Sequence, residues 1–301
     1  MNRSFSDAGT TELWVRRLME GVGERFGIQP TPSTERKLRD ILAAIPAAEL
    51  CGWVTDLGRQ GAEHPDWRAL VESLTVHETY FYRDKPLLWM IAGDILPSII
   101  EEKRQRGDRR LRIWSAACST GEEAYNLVML AFQVLTAMGE AMERADGVVT
   151  LGAGWSIDVL GTDLSSQVIR QAQSALYCDF GLGPFRDMPP DKRHFFERET
   201  VDDPDIPGAH YWRVRDFVRK HVRFRRYNLL GPVPPETDFD LVLCRNVMIY
   251  FTDEGKRVCQ TMLHSALRRD GALVMGGTDT QLFPERYDRR YSDGGAWYVK
   301  H

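Results

Sequence analysis

Two acidic side chains follow short apolar segments of the sequence, where a ligand could meet them. The first segment, LRIWSAACST, begins at Leu111 and continues through a turn of small residues to Glu123. The second, IDVLGTD, ends at Asp163. A carboxylate at the end of a strand can accept hydrogen bonds from both hydroxyls of a ribose, although Asp163 could equally cap a helix that begins near Ser165. Glu123 could face a cationic ligand, or it could complete a capping box with Thr120.

The turn that precedes Glu123 does not have the spacing of a phosphate-binding loop. It lacks the G-x-G-x-x-G pattern of a dinucleotide site. Two acidic residues, Glu122 and Glu123, stand where the next helix should begin, and their charge would repel a phosphate. The pattern therefore favours a nucleoside that carries positive charge. S-adenosylmethionine fits, because it joins an adenosine to a sulfonium and an amino acid.

A third polar group follows another apolar segment, DLVLCRNVMIYF. If its strand ends near Cys244, Arg245 and Asn246 lie at the carboxyl edge of the sheet, beside the same crevice. Solvation of a loop would explain Arg245 and Asn246, and half-buried packing would explain Tyr250. An asparagine at a strand end with a tyrosine four residues later is nevertheless more polar than packing requires, which favours a functional role.

The elements that would position these residues alternate between strand and helix. The predicted strands are 111–117, 157–161, 241–243 and 272–276, and the predicted helices between and after them are 124–137, 166–175 and 253–267. Such alternation indicates an α/β fold with a doubly wound, mostly parallel sheet. Near the end, Asp293-Gly294-Gly295 lies between aromatic-rich segments. It predicts a hairpin whose last strand is antiparallel and lies at the sheet edge.

The chain divides into three parts by pattern. Residues 1–75 show helical spacing and form a predicted N-terminal helical domain. Residues 76–110 form an interdomain segment and a first helix. Residues 111–301 form the sheet domain, interrupted at about 177–227 by turn-rich sequence and short strands that indicate a small antiparallel β insertion.

Composition sets further bounds on the class of protein and on its location. The chain has 301 residues, 43% of them hydrophobic, and a formal net charge of −4, which disfavours a dedicated nucleic-acid binder. The start has no apolar leader, and the most apolar run, residues 87–100, is too short to cross a membrane. The five cysteines are widely spaced, so neither a disulfide framework nor a metal site is indicated. We expect a cytoplasmic monomer without membrane insertion.

Five motifs in a fixed order carry a resemblance to a known family. They are Thr79–Arg83 (TYFYR), WSAACSTGEEAY, GTDLS, YNLL and LCRNVMIYF. Together they resemble the glutamate methyltransferases of chemotaxis receptors, the CheR type, over nearly the whole chain. The resemblance implies the fold of class I S-adenosylmethionine methyltransferases, with an N-terminal helical domain and an inserted β subdomain. It also implies methyl transfer from S-adenosylmethionine to glutamates of a chemoreceptor cytoplasmic domain, with S-adenosylhomocysteine as the second product.

The resemblance also implies the residues of the site. One group would bind the cofactor: His77, Thr79, Arg83, Glu123, Asp163, Asn228, Leu229, Arg245 and Asn246. Arg83 and Tyr250 would lie at the point of methyl transfer. Three positions depart from the family pattern: His77 replaces a common asparagine, Ala124 replaces a usual proline at the helix start, and Gly277 replaces the histidine of a Gly-His-Ser-Glu motif.

The chemistry of the reaction agrees with these residues. A glutamate has a reference pKa of about 4.3, so it is ionised at neutral pH and needs no general base. Its attack on a sulfonium methyl depends on alignment and on a site that contains little water. Arg83 could hold one carboxylate oxygen, and Tyr250 could form a hydrogen bond near the reacting atoms. The lack of an acid/base pair in the motifs disfavours a hydroxyl substrate.

Two other functions remain open at this stage. A catalytically inactive regulatory protein that binds S-adenosylmethionine could have the same fold. A nucleic-acid methyltransferase would suit the arginines and aromatics of residues 212–227, although the net charge opposes it. The same arginines could form the outer face of a strand pair or a surface for receptor docking.

Overall fold

The structure is a computed structural model of the chain and describes residues 4–75, 77–181, 183–201, 204, 206 and 208–301. It contains two compact units: Met1–Val76 with Val247–Thr261, and His77–Asn246 with Met262–His301. The first unit thus includes residues 247–261, which the sequence pattern assigns to the sheet domain. The division into domains at residues 75 and 110 stays a prediction. In the described ranges, no helix combines the length and the apolar character needed to cross a membrane.

The first unit is helical in its described N-terminal part. Its helices are α1 Ser4–Phe26, α2 Pro32–Ala43, α3 Ala47–Arg59 and α4 Pro65–Leu74. α1 ends at Gly27, whose φ of +66° suits glycine. α2 begins with a capping box, in which the Thr31 hydroxyl accepts from the Thr34 amide and the Thr34 hydroxyl accepts from the Thr31 amide. The buried Trp67 indole donates to the Leu57 carbonyl at 2.8 Å and joins α4 to α3.

The second unit alternates strands and helices. Its strands are β1 Arg110–Ala116, β2 Ala141–Glu143, β3 Val149–Leu151, β4 Ser156–Asp163, β5 Leu176–Asp179, β6 Phe196–Glu199, β7 His210–Val214, β8 Val222–Arg226, β9 Phe239–Cys244, β10 Leu267–Met275, β11 Tyr287–Ser292 and β12 Gly295–Lys300. Its helices are α5 Lys85–Met90, α6 Leu96–Gln105, α7 Glu122–Ala137, α8 Ser166–Ser174 and α9 Asp216–Arg219. A further helix, α10 Asp253–Ala266, contains the boundary between the units. A π-helical turn, Ile91–Ile95, joins α5 to α6 where Pro97 cannot donate a helical hydrogen bond.

The main sheet confirms the predicted α/β class. Its strand order is β11-β12-β10-β9-β1-β4-β8, and the pairs from β10 to β8 are parallel. The chain moves outward from β1 in one direction to β4 and β8, then crosses to β9 on the other side of β1. In the parallel register Ala116 lies beside both Thr162 and Cys244. The carboxyl ends of three strands therefore meet at one edge, where open α/β sheets bind ligands.

The core of the second unit lies between this sheet and its helices. Ile113 of β1 and Leu243 of β9 are fully buried, as are Leu127 and Val128 of α7. α7 is buried along most of its length, so burial of apolar surface on several faces of the helix fixes its position against the sheet. This fixes the N-terminal end of α7 beside the carboxyl end of β1.

The predicted insertion at 177–227 is wrong at its C-terminal end. The inserted antiparallel sheet has the order β5-β7-β6 and ends at Val214. The strand Val222–Arg226 belongs instead to the main sheet, parallel to β4. Gly161 of β4 permits this pairing, because a Cβ there would lie 2.6 Å from the ring of Phe224. Sequence pattern alone does not separate this strand from the insertion.

Two smaller expectations also differ from the structure. The last strand, β12, is antiparallel as predicted, but it lies between β10 and β11, so β11 is the edge strand. Residues 138–154, between the predicted helix 124–137 and strand 157–161 and without a predicted element, contain the short hairpin formed by β2 and β3. The position of β12 depends on its pairing with β10, which is distant in sequence, and the β2–β3 hairpin has strands of only three residues each, too short for a clear periodicity.

Candidate functional site

The turn between β1 and α7 forms one wall of the crevice and has an unusual backbone. Three of its residues have positive φ: Ala117 (65°), Ser119 (49°) and Gly121 (97°). This conformation costs about 1 kcal/mol for each residue other than glycine, so other bonds must hold it. The Cys118 amide donates to the Thr162 carbonyl at 2.8 Å, and the Ser119 amide donates to Asp163 Oδ2 at 2.9 Å. The turn is thus fixed to β4 before any ligand binds.

The structure excludes the alternative of a capping box at Thr120. The N-cap of α7 is Gly121, without a side-chain cap. The Thr120 hydroxyl donates to Glu122 Oε2 at 2.7 Å, and the Glu123 carboxylate bonds to other groups. Gly121 is required here, because its φ is positive and a Cβ would lie 2.8 Å from that of Ala172.

Glu123 belongs to a cluster of charged groups. Its Oε1 accepts from the Ser115 hydroxyl at 2.7 Å, and its Oε2 accepts from Arg245 Nη1 at 2.9 Å. Arg245 Nη2 donates to Asp84 Oδ2 at 3.2 Å. The side chain of Arg245 is only 6% exposed, so its charge depends on these two carboxylates. Its Nε is buried and has no hydrogen-bond partner among the described residues.

Asp163 joins two loops at the same edge of the sheet. Besides the Ser119 amide, its carboxylate accepts the Ser165 amide at 3.0 Å. It does not cap α8, since the N-cap is Ser165, whose hydroxyl accepts from Val168. Burial raises the pKa of the Asp163 carboxyl, while its hydrogen bonds and the nearby His77 oppose that rise. The Leu164 amide is a third backbone donor to this carboxylate, whose two oxygens have about four acceptor sites, so a site remains for a further donor.

The segment from His77 to Arg83 contacts the turn on its other side. The Ser119 hydroxyl donates to the His77 carbonyl at 2.9 Å. Thr79 is half-buried, and Arg83 Nη1 donates to the Glu78 carbonyl at 2.7 Å. The structure therefore places His77 and the turn in direct contact, with Thr79 and Arg83 on the same short segment.

Two predicted cofactor residues follow β8. The Tyr227 amide donates to the Asp163 carbonyl at 2.8 Å, so the chain after Tyr227 continues along the crevice edge. Asn228 Oδ1 accepts from the Leu230 amide at 3.0 Å, which fixes the loop. Leu229 is buried and offers an apolar surface.

The remaining predicted residues follow β9. Asn246 is exposed and has a φ of +56°, directly after the buried Arg245. In the loop after β10, which contains the departure at Gly277, Asp279 Oδ2 accepts from the Gly276 amide at 3.2 Å. Tyr250 lies in the first unit, in the turn Met248–Tyr250, where its carbonyl accepts from the Gln29 amide at 2.8 Å.

Several residues that shape the crevice carry no obvious sequence signal. Ser115 and Asp84 bind the Glu123–Arg245 pair, and the Ser119 hydroxyl holds the His77 segment. The sequence offered one signal for Asp84. It directly follows the Thr79–Arg83 motif, and a buried arginine such as Arg245 needs a carboxylate as its counter-charge. The described residues contain no group of three or more His, Cys, Asp or Glu arranged to hold a metal ion.

Three of the arginines in residues 212–227, Arg213, Arg219 and Arg223, are paired with acidic groups. Arg213 binds Glu199 through two nitrogens, and Arg223 binds both Asp158 and Glu236 at 2.9 Å. A surface that binds a nucleic-acid backbone needs cations that can meet phosphates. The pairing of these side chains within the chain therefore weakens the nucleic-acid interpretation.

Comparison with known proteins gives consistent matches. Residues 77–290 match the family model described as "CheR methyltransferase, SAM binding domain". The chain is 32% identical over 232 residues to chemotaxis protein methyltransferase 1 of Pseudomonas aeruginosa, which covers 76% of each chain. It is 31% identical over 217 residues to a chemotaxis protein methyltransferase of Listeria monocytogenes, covering 72% of this chain and 70% of the relative.

Proposed function

The chain belongs to the CheR methyltransferase family, and we propose that it transfers the methyl group of S-adenosylmethionine to glutamate side chains of chemoreceptor cytoplasmic domains. The observation that carries this proposal is the family match over residues 77–290, since that range contains all the cofactor and catalytic residues predicted from the motifs. The relatives named above are chemotaxis protein methyltransferases and support the same reaction.

The side chains of the crevice fit this cofactor. Asp163 retains an acceptor site for a ribose hydroxyl, and Leu229 provides an apolar surface for a planar base. The cluster of Arg245 with Glu123 and Asp84 has two carboxylates for one guanidinium, so its excess negative charge suits a cationic ligand.

The protein's contribution to the reaction is alignment. S-adenosylmethionine supplies, when bound, an electrophilic methyl group on a sulfonium sulfur. The substrate glutamate is already ionised at neutral pH, so no side chain has to remove a proton. We assign to Arg83 the task of holding one carboxylate oxygen while the other attacks, and to Tyr250 a hydrogen bond near the reacting atoms. An arginine that bound the substrate too tightly would stabilise the ground state as well.

The partner of the reaction is a receptor or receptor-like protein. We propose the inserted sheet, β5-β7-β6, as a surface for docking that partner, in line with the family resemblance. The expectations of a monomer, of a cytoplasmic location and of no binding to nucleic acid stay predictions. The catalytically inactive alternative keeps the same cofactor site and differs only in turnover.

The test is transfer of tritiated methyl from S-adenosylmethionine to a panel of receptor cytoplasmic domains. We expect incorporation that mild alkali releases as methanol, because the product is an ester. Arg83→Ala should lower turnover strongly and cofactor affinity less. Arg186→Ala is the matched control, since the guanidinium carbons of Arg83 and Arg186 lie 5.7 Å and 3.7 Å from the centroid of the Tyr80 ring. Arg186 also pairs with Glu78 at 2.7 Å.

Three outcomes would contradict the proposal. Methyl groups that survive mild alkali would exclude a glutamate ester. Calorimetric binding of S-adenosylhomocysteine without transfer to any receptor domain would favour the inactive alternative. Equal loss of turnover in the Arg83 and Arg186 variants would reduce Arg83 to a structural role in its segment.

A further inference from the structure

The inserted sheet makes a direct hydrogen bond to the turn of the cofactor crevice. Tyr177, in β5, donates its hydroxyl to the carbonyl of Thr120 at 2.7 Å. The side chain of Tyr177 is almost completely buried, at 2% exposure. Burial raises the pKa of the Tyr177 phenol, so the hydroxyl stays a donor. Tyr177 is not one of the residues that the motifs assign to the site.

The ring of Tyr177 also contacts the second wall of the crevice. It meets the ring of Phe81 edge to face, with centroids 4.9 Å apart. Phe81 lies between Thr79 and Arg83, and its amide donates to the Pro184 carbonyl at 2.8 Å. The side chain of Tyr177 therefore touches both segments on which cofactor residues stand: the turn through its hydroxyl, and the Thr79–Arg83 segment through its ring.

The turn needs a bond at this point. Its positive φ values are held from one side by β4, through Thr162 and Asp163. Thr120 is the residue between Ser119 and Gly121, which both have positive φ. The peptide group between Thr120 and Gly121 is held at both ends: the Gly121 amide donates to the Cys118 carbonyl at 3.0 Å, and the Thr120 carbonyl accepts from Tyr177. Loss of the Tyr177 hydroxyl would leave this peptide group with only the bond inside the turn, and would remove its connection to the inserted sheet.

We propose that Tyr177 is a positioning residue for the cofactor: its hydroxyl holds the Thr120 carbonyl and thereby keeps the turn at residues 117–121 in the conformation that lines the crevice for S-adenosylmethionine. This inference rests on the proposed function, in that the crevice must hold that cofactor. It makes cofactor affinity depend on the inserted sheet, although that sheet lies outside the strands that form the crevice.

The test compares two buried tyrosines that differ in their acceptor. Tyr125 is also 2% exposed, and its hydroxyl donates to the Ala172 carbonyl of α8 at 2.9 Å. Tyr177→Phe and Tyr125→Phe each remove one buried hydroxyl and keep the ring, so both should lower the melting temperature by similar amounts. Only Tyr177→Phe should raise the dissociation constant of S-adenosylhomocysteine. The expected increase is about fivefold, which corresponds to the free energy of one hydrogen bond. The KM for the receptor domain should not change.

A second measurement uses the protein without cofactor. Amide hydrogen exchange at residues 118–121 should accelerate in Tyr177→Phe and not in Tyr125→Phe, which separates a local effect from general destabilisation. Unchanged exchange at these amides, unchanged affinity in Tyr177→Phe, or an equal loss of affinity in Tyr125→Phe would overturn the inference. Failure of the unsubstituted protein to bind S-adenosylhomocysteine would instead overturn the proposed function, and this inference with it.

Discussion

Glu122 provides a direct test of the electrostatics at the start of α7. Its side chain is 2% exposed, and Oε2 accepts from the Thr120 hydroxyl at 2.7 Å. Burial raises the pKa of this carboxyl from 4.5 to about 7, because the charged form loses its hydration. The Thr120 hydroxyl and a backbone hydrogen bond oppose the rise without cancelling it. Glu122→Gln removes the titration and nearly keeps the shape.

The sign of the effect follows from proton binding. Between the unfolded pKa of 4.5 and the folded pKa of about 7, the folded state holds a proton that the unfolded state has released. The free energy of unfolding therefore falls as pH rises through this window and levels off above it. The size of the pKa shift corresponds to about 3 kcal/mol. Relative to the unsubstituted protein, the free energy of unfolding of Glu122→Gln should therefore rise by up to about 3 kcal/mol as pH rises across the same window.

Urea unfolding of the two proteins from about pH 5 to about pH 8 measures this difference. The difference between the proteins is the useful quantity, because His221 and His264, whose pKa values burial lowers, change stability in the opposite sense. Glu254→Gln is the control, since it removes an exposed carboxylate from the first turn of α10. A difference that stays constant across the pH range, or a Glu122→Gln protein less stable than the parent at about pH 8, would refute the reasoning.

Three further predictions concern packing and the charge cluster. Gly294→Ala should lower the free energy of unfolding by about 2 kcal/mol, because the added methyl would collide with α5; calorimetry should find no loss in Gly58→Ala, where a Cβ meets nothing within 4 Å. Arg245→Met should lower the free energy of unfolding by about 3 kcal/mol, because it leaves the charge of Glu123 buried without this partner. In a double-mutant cycle, adding Glu123→Gln should recover part of that loss. Asp163→Ala should weaken S-adenosylhomocysteine binding about tenfold or more, as measured by calorimetry. The substitution removes the carboxylate that accepts from the Ser119 and Ser165 amides and so holds two loops of the crevice.

The fold could be predicted because each element has a strong local pattern. β1 and β9 are mostly apolar and are buried along most of their length, and such strands separated by helical periodicity indicate a parallel sheet. The partners of weaker strands could not be predicted in the same way. β8 is short and carries arginines, yet it pairs with β4 because Gly161 leaves room for Phe224. Such a fit depends on two residues far apart in sequence.

For the site, the motifs indicated which polar side chains lie at the crevice, but not which other groups of the chain they pair with. The carboxylate of Glu123 fits a capping box by spacing, and the structure instead pairs it with Arg245. A capping hydrogen bond at an exposed helix end is worth about 1 kcal/mol. A buried arginine without a counter-charge would cost several times that amount, so the ion pair decides the conformation.

Asp84 shows how such a distant contact overrides a local preference. It directly precedes α5, a position that suits a capping aspartate, yet its φ is +64° and its side chain makes no cap. A left-handed conformation in a residue other than glycine persists only where surrounding contacts impose it. Here the contact is Arg245, at the end of β9. Because Asp84 directly follows Arg83, the same ion pair restrains the residue proposed to hold the substrate. Loss of Arg245 should therefore reduce turnover through Arg83 as well as cofactor affinity.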